Sequence, residues 1–164
     1  MTATIDQMLE LLNLDVGGDF FAINITQVQE VRVLDAIRKM PDLPDGWLGV
    51  IDFRQSIVPI IDLRDVLSGT ATELKPKTII VVVQVCTADD AKTIGLVVDA
   101  VSEVISVDPE SVRPPPKIQQ SAKKAVQGLF KHDEHIVVIL DLAVLIELND
   151  FDGLRAQLAD ADDV

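Results

Sequence analysis

Gly49-Val50-Ile51-Asp52-Phe53-Arg54-Gln55-Ser56-Ile57-Val58-Pro59-Ile60-Ile61-Asp62-Leu63-Arg64-Asp65-Val66-Leu67 returns 79 residues later as Gly128-Leu129-Phe130-Lys131-His132-Asp133-Glu134-His135-Ile136-Val137-Val138-Ile139-Leu140-Asp141-Leu142-Ala143-Val144-Leu145-Ile146. Laid over each other without a gap, the two stretches share six identical residues in 19, and five more positions exchange one apolar residue for another. In each, a polar tip separates two apolar runs, Asp52 to Ser56 in the first and Lys131 to His135 in the second. That is the pattern of a β-hairpin. The runs Ile57 to Ile61 and Ile136 to Leu140 lack polar alternation, so both faces of these strands are expected to be buried. Pro59 has no backbone donor and predicts an edge position or a bulge. Upstream, Phe21 to Val31 aligns with Ile94 to Val104 at an offset of 73, where Val28, Glu30 and Val31 meet Val101, Glu103 and Val104. The chain reads as two similar halves, with repeat units at about 20–67 and 93–146.

Composition agrees with a β protein. The 164 residues are 48% apolar and 25% charged, enough for one domain or two very small ones with a packed core. Twenty-two Val and 16 Ile, against no Tyr, favour strands. Short, closely spaced strands without long intervening helices favour small barrels over a parallel α/β sheet. A net charge of −13 argues against a phosphate-backbone partner, and aromatics at 4% supply few stacking platforms for single strands. Nucleic acid is excluded. Cys86 is the only cysteine, so no internal disulfide forms, and within the run from Ile79 it reads as a small apolar core residue. Neither a signal-peptide charge pattern nor an apolar stretch of membrane-spanning length is present, which predicts a soluble cytoplasmic protein without membrane insertion. The last fifteen residues carry five Asp against Arg155. Residues 148–164 are therefore read as an acidic tail, at most a frayed helix through Leu154 and Leu158, whose loss past Asp150 should leave stability nearly unchanged.

Few constellations offer chemistry. His132, Asp133, Glu134 and His135 are tempting as metal ligands, but a hairpin tip would fan them outward, and zinc needs three or four converging groups. They read as a solvated polar turn, and no metal or cofactor is expected. Asp62 and Asp141 each follow an apolar run and could pair as acid and base. Their equivalent positions in the repeat fit a shared structural duty better, capping the turn after each strand. A phosphate loop, a catalytic triad and a nucleophile elbow are all missing, so no enzyme is expected. Interaction remains: Arg54 and Gln55, and the segment Val28 to Arg32, are polar groups on a stiff apolar scaffold. A small-ligand-binding β-domain, or a carboxylate enzyme using Asp62 and Asp141, stays as the alternative.

At these residues the sequence resembles the CheW family of chemotaxis adaptors. Phe21-Ala22-Ile23-Asn24-Ile25 with Val28-Gln29-Glu30-Val31-Arg32 is similar to the family's Y-G-I-D-I and V-Q-E-I-R, and Gly49 to Arg64 to its G-V-I-N-L-R-G-x-I-V-P-V-I-D-L-R. Gly95-Leu96-Val97-Val98-Asp99-Ala100-Val101-Ser102-Glu103-Val104 matches G-L-V-V-D-x-V-S-E-V. The resemblance covers about residues 11–147, after an N-terminal extension at 1–10. It implies an all-β fold of two small five-stranded SH3-like β-barrels packed together, pseudo-duplicated, with short helical turns and a C-terminal helix or tail. It also implies a non-catalytic scaffold that couples the chemoreceptor cytoplasmic hairpin tip to the regulatory domain of a CheA-type histidine kinase, alternating with such domains in rings. The array would serve chemotaxis or a related system such as twitching motility, with the protein recruited to it from the cytoplasm. By the same resemblance, Val28, Glu30, Gly49, Arg54 and Gln55 would face the receptor. The loop carrying Met40, Pro41, Leu43 and Pro44, together with the second barrel, would face the kinase. At the tip, Asp52-Phe53-Arg54-Gln55 stands for the family's N-L-R-G: the arginine is kept and the glycine replaced.

Overall fold

The computed structural model describes residues 8–33, 37–68, 78–86, 90–115, 125–149, 151 and 154. Ten strands run in chain order: β1 Leu9–Val16, β2 Asp19–Asn24, β3 Val28–Val33, β4 Trp47–Phe53, β5 Ser56–Asp62, β6 Ile79–Cys86, β7 Ala91–Val98, β8 Ala100–Val107, β9 Val126–His132 and β10 His135–Leu140. Short helices α1 (Leu63–Ser68) and α2 (Leu142–Leu148) follow β5 and β10. Sheet I has the order β3-β6-β7-β5-β4, and sheet II the order β8-β1-β2-β10-β9.

The two orders are the same pattern written twice. Replacing β1 to β5 by β6 to β10, and the reverse, turns one sheet into the other. Each sheet takes three strands from one half and a central pair from the other, so the halves exchange strands. β2 joins β10 in parallel through Phe20 to Ala22, and β7 joins β5 in parallel through Gly95 to Val97. The repeat units at 20–67 and 93–146 therefore each begin in one sheet and end in the other. The hairpins Gly49 to Leu67 and Gly128 to Ile146 share one conformation, as the repeat requires: strand, two-residue turn, strand, helix. Arg54 and Gln55 have φ of 50° and 67°, and Asp133 and Glu134 have 48° and 68°, the left-handed pair of a type I′ turn.

Both sheets roll toward closure. The chain leaving β3 bridges through Arg38 to Val50 of β4, and the chain leaving β8 bridges through Arg113 to Leu129 of β9. Gly49 and Gly128 lie beneath these crossings. A Cβ on Gly49 would overlap the Arg38 carbonyl oxygen, and one on Gly128 would meet Val112 and Arg113. Absence of a side chain is what lets the backbones approach.

Burial on both faces explains the unbroken apolar runs. Along β6, Ile80 and Val82 fill the interior of sheet I, while Val81, Val83 and Val85 enter the large cluster between the sheets. β1 does the same in sheet II, with Leu11 inside and Leu12 and Leu14 between the sheets. Pro59 faces Val50 of β4 and sits just ahead of the parallel ladder to β7, which starts at Ile60. β5 is an edge on that side until then, which is where a missing donor does no harm.

Four expectations are corrected. Ile57 and Ile136 are not buried: they are 57% and 60% exposed, because each strand begins beyond the cover of its neighbour. Cys86 is exposed, not core; it ends β6, where Gln84 and Cys86 turn outward and Val85 inward. Residues 9 and 10 belong to β1 and pair with Val107 and Ser106, so the fold starts inside the expected extension. The tail expectation fails as well. Phe151 and Leu154 are buried in the inter-sheet cluster, the Phe151 ring lies tilted against Trp47 with centroids 5.9 Å apart and Lys92 Nζ 4.7 Å from the Phe151 centroid, and Trp47 Nε1 donates to the Asn149 carbonyl at 2.6 Å. Leu158 and the final residues lie outside the described region.

Candidate docking site

The residues singled out for the receptor come from three places in sheet I. Val28 and Glu30 lie on the end strand β3, Gly49 on the end strand β4, and Arg54 and Gln55 at the β4–β5 turn. Barrel closure brings β3 beside that turn. Arg54 Cζ stands 4.8 Å from the centroid of Phe53, and Arg32 Cζ stands 5.4 Å from the same ring. Arg32 in turn binds Glu30, Nη2 to Oε2 at 2.6 Å and Nε to Oε2 at 2.8 Å. Glu30, Arg32, Phe53 and Arg54 thus form one continuous patch in which two guanidinium groups share a ring. Phe53 is buried and anchors them from below. Gln55 is exposed at the rim.

The other two candidates act differently. Val28 is half-buried against the inter-sheet cluster, so it supports the patch instead of surfacing in it. Gly49 is buried under Arg38 and contributes space. Phe53 is absent from the candidates drawn from the sequence, and Arg32 is among them only as the end of the segment Val28 to Arg32, with no role of its own. The signal was available in part, since Phe53 precedes Arg54 and Arg32 stands two residues from Glu30, but only closure of the sheet makes them neighbours.

In the loop assigned to the kinase, Pro41 is exposed and Met40 half-buried. Leu43 packs on the inter-sheet cluster, and the Pro44 carbonyl accepts the Trp47 N–H at 3.2 Å. Two pairs of exposed apolar groups follow the repeat, whereas Val33 and Leu148 do not: Val31 and Val104 occupy equivalent positions on the end strands β3 and β8, at 43% and 47% exposure. Ile57 and Ile136 are the corresponding pair just past each hairpin turn.

Asp62 and Asp141 are caps. Asp62 Oδ1 accepts from the Arg64 N–H at 3.1 Å and the Asp65 N–H at 3.5 Å, and Asp141 Oδ1 accepts from the Val144 N–H at 3.3 Å. Each carboxylate satisfies donors that the first turn of its helix leaves unpaired. Of the polar tip on the other hairpin, His132 does not fan outward; it turns across to Glu103 on β8. No helix among the described residues is long and apolar enough to cross a membrane.

Two rolled five-stranded sheets that exchange their central strands and carry polar turns with exposed apolar edges define a β scaffold that displays surfaces. A CheW-like domain model matches residues 10–149. A probable chemotaxis protein CheW of Rhizobium etli is 32% identical over 137 residues, covering 83% of this chain and 86% of that protein. The chemotaxis protein CheW of Klebsiella aerogenes is 31% identical over 138 residues, 84% of this chain and 81% of that one. Among solved structures, the scaffolding protein TtCheW of Thermoanaerobacter tengcongensis superposes with a TM-score of 0.75 at 31% identity, covering 87% of this chain and 94% of that one. This chain belongs to the CheW-like family, whose members are non-catalytic scaffold proteins of chemotaxis.

Proposed function

We propose that this protein is a cytoplasmic adaptor that joins the cytoplasmic hairpin tip of a chemoreceptor to the regulatory domain of a CheA-type histidine kinase within a membrane-associated array. The observation that carries the receptor half is the patch of Glu30, Arg32, Phe53 and Arg54, a rigid cationic spot on a chain of net charge −13. Arginine on an aromatic ring is already ordered and weakly hydrated, so it loses little on being covered by a partner. Gln55 beside it adds bulk where the family pattern has glycine, and serves as a selector among receptors.

The kinase half rests on symmetry. Val31 with Ile57 on one barrel, and Val104 with Ile136 on the other, expose the same two positions. β3 and β8, which carry Val31 and Val104, are the end strands of their sheets, and end strands of this kind invite a partner. Two similar edges let like-folded domains dock on both barrels, as growth of a ring requires.

Titration calorimetry separates the two surfaces. Arg54→Ala is expected to retain the fold and the kinase-domain affinity while weakening a receptor cytoplasmic fragment at least tenfold, as loss of a buried anchor of about 2 kcal/mol would. Ile136→Asp is expected to do the reverse. Unchanged receptor affinity for Arg54→Ala would remove the turn from the binding site.

A further inference from the structure

The turn between β9 and β10 occupies the same place in the second barrel that the arginine patch occupies in the first. Glu103, His132 and Asp133 stand where Glu30, Phe53 and Arg54 stand in the repeat. The cationic spot is replaced by a histidine between two carboxylates. His132 Nε2 lies 3.1 Å from Glu103 Oε1 and 3.4 Å from Asp133 Oδ2, and the three ligand atoms fall within 4.8 Å of one another. Ligands held tetrahedrally at about 2.0–2.2 Å from zinc are separated from each other by roughly 3.3–3.6 Å. Both nitrogen-to-oxygen separations are close to that spacing.

An independent observation comes from β1. The register to β8 shifts between Leu12, opposite Val104, and Leu14, opposite Val101, so that Ser102 and Glu103 of β8 form a bulge opposite Asn13. A bulge re-aims the side chain it carries. Asn13 is only 5% exposed, and its Oδ1 has no hydrogen-bond partner among the described residues. It lines a hollow of about 130 Å³ together with Glu103, His132 and Asp133. A buried amide oxygen without a donor is costly, and a bound ion or its water would satisfy it.

We infer that Glu103, His132 and Asp133 form a binding site for a divalent cation of the zinc type, with the Asn13 amide oxygen beneath it as a further ligand, direct or through water. One imidazole and two carboxylates suit zinc and its transition-metal neighbours, whereas calcium takes six to eight oxygens. The ion would tie the end strand β8 to the hairpin turn and neutralise an acidic spot on an acidic protein. This inference is independent of the receptor and kinase reading.

Titrating zinc chloride into the full chain by calorimetry, in a weakly coordinating buffer, tests it. The expected result is one zinc per chain, with affinity reduced at least tenfold by His132→Gln and by Glu103→Gln. Glu134→Gln, on the same turn but outside the cluster, should remain within twofold, and calcium should bind at least a hundredfold more weakly than zinc. Because the substituted groups are at the surface, each variant's metal-free melting curve should match the parent. Absence of zinc binding up to millimolar concentration would overturn the proposal. So would binding that survives both His132→Gln and Glu103→Gln, which would place the ion on other groups.

Discussion

Gln55 sits at φ 67° directly after Arg54 at φ 50°, and neither residue is a glycine. The left-handed region costs an L-residue roughly 1–2 kcal/mol, so the turn holds its conformation against its own sequence. Replacing Gln55 by Gly is expected to raise stability by about 1 kcal/mol, read as a higher denaturant midpoint at unchanged slope, and to broaden the receptors accepted. A lower midpoint would show that the glutamine side chain holds the turn through contacts of its own. Asp62 and Asp141 were legible in the sequence as a pair with one duty, because the repeat puts them in register. Asp62→Ala and Asp141→Ala should each lose about 1 kcal/mol, with more from Asp62 because it is wholly buried. Denaturant melts measure this, and stability unchanged by both substitutions would refute the capping role. Arg32 and Phe53 were less legible. Their partnership crosses from β3 to the β4–β5 turn, and spacing along one chain carries no information about which end strands a rolled sheet brings together.

Elements divide in the same way. The hairpins β4–β5 and β9–β10 could be read because a polar tip between apolar runs is a local signal, and the repeat states it twice. Ile57 and Ile136 were misread because an apolar run does not show where its cover begins. The C-terminal segment was misread for a more physical reason. Phe151 and Leu154 stand almost alone in an acidic stretch, and what buries them is distant in sequence: Trp47 lies 102 residues from the Asn149 carbonyl that anchors the segment. Truncation after Asp150 therefore removes two buried side chains worth about 1.5–3 kcal/mol each. At about 2–4 °C per kcal/mol for a chain of this size, the melting temperature should fall by roughly 6–24 °C. A fall below about 3 °C, by differential scanning calorimetry, would contradict the docking of Phe151 and Leu154.

For the whole molecule, two halves of one pattern were visible in the offsets of 73 and 79 residues, but their exchange of strands was not. The parallel pairings β2 with β10 and β5 with β7 decide which sheet each strand joins. No repeat alignment can state a pairing partner. Exchange has a functional consequence, since each barrel contains strands from both halves and the two barrels share one large core. Surfaces on opposite barrels are then held at a fixed separation, as a coupling protein needs if it is to hold two partners at once. Sedimentation velocity on a mixture of this chain, a receptor cytoplasmic fragment and the kinase regulatory domain tests that claim directly. The adaptor account predicts a single boundary containing all three, which Arg54→Ala reduces to a complex of this chain with the kinase domain alone. Mutually exclusive binding, in which added receptor fragment releases the kinase domain, would contradict it.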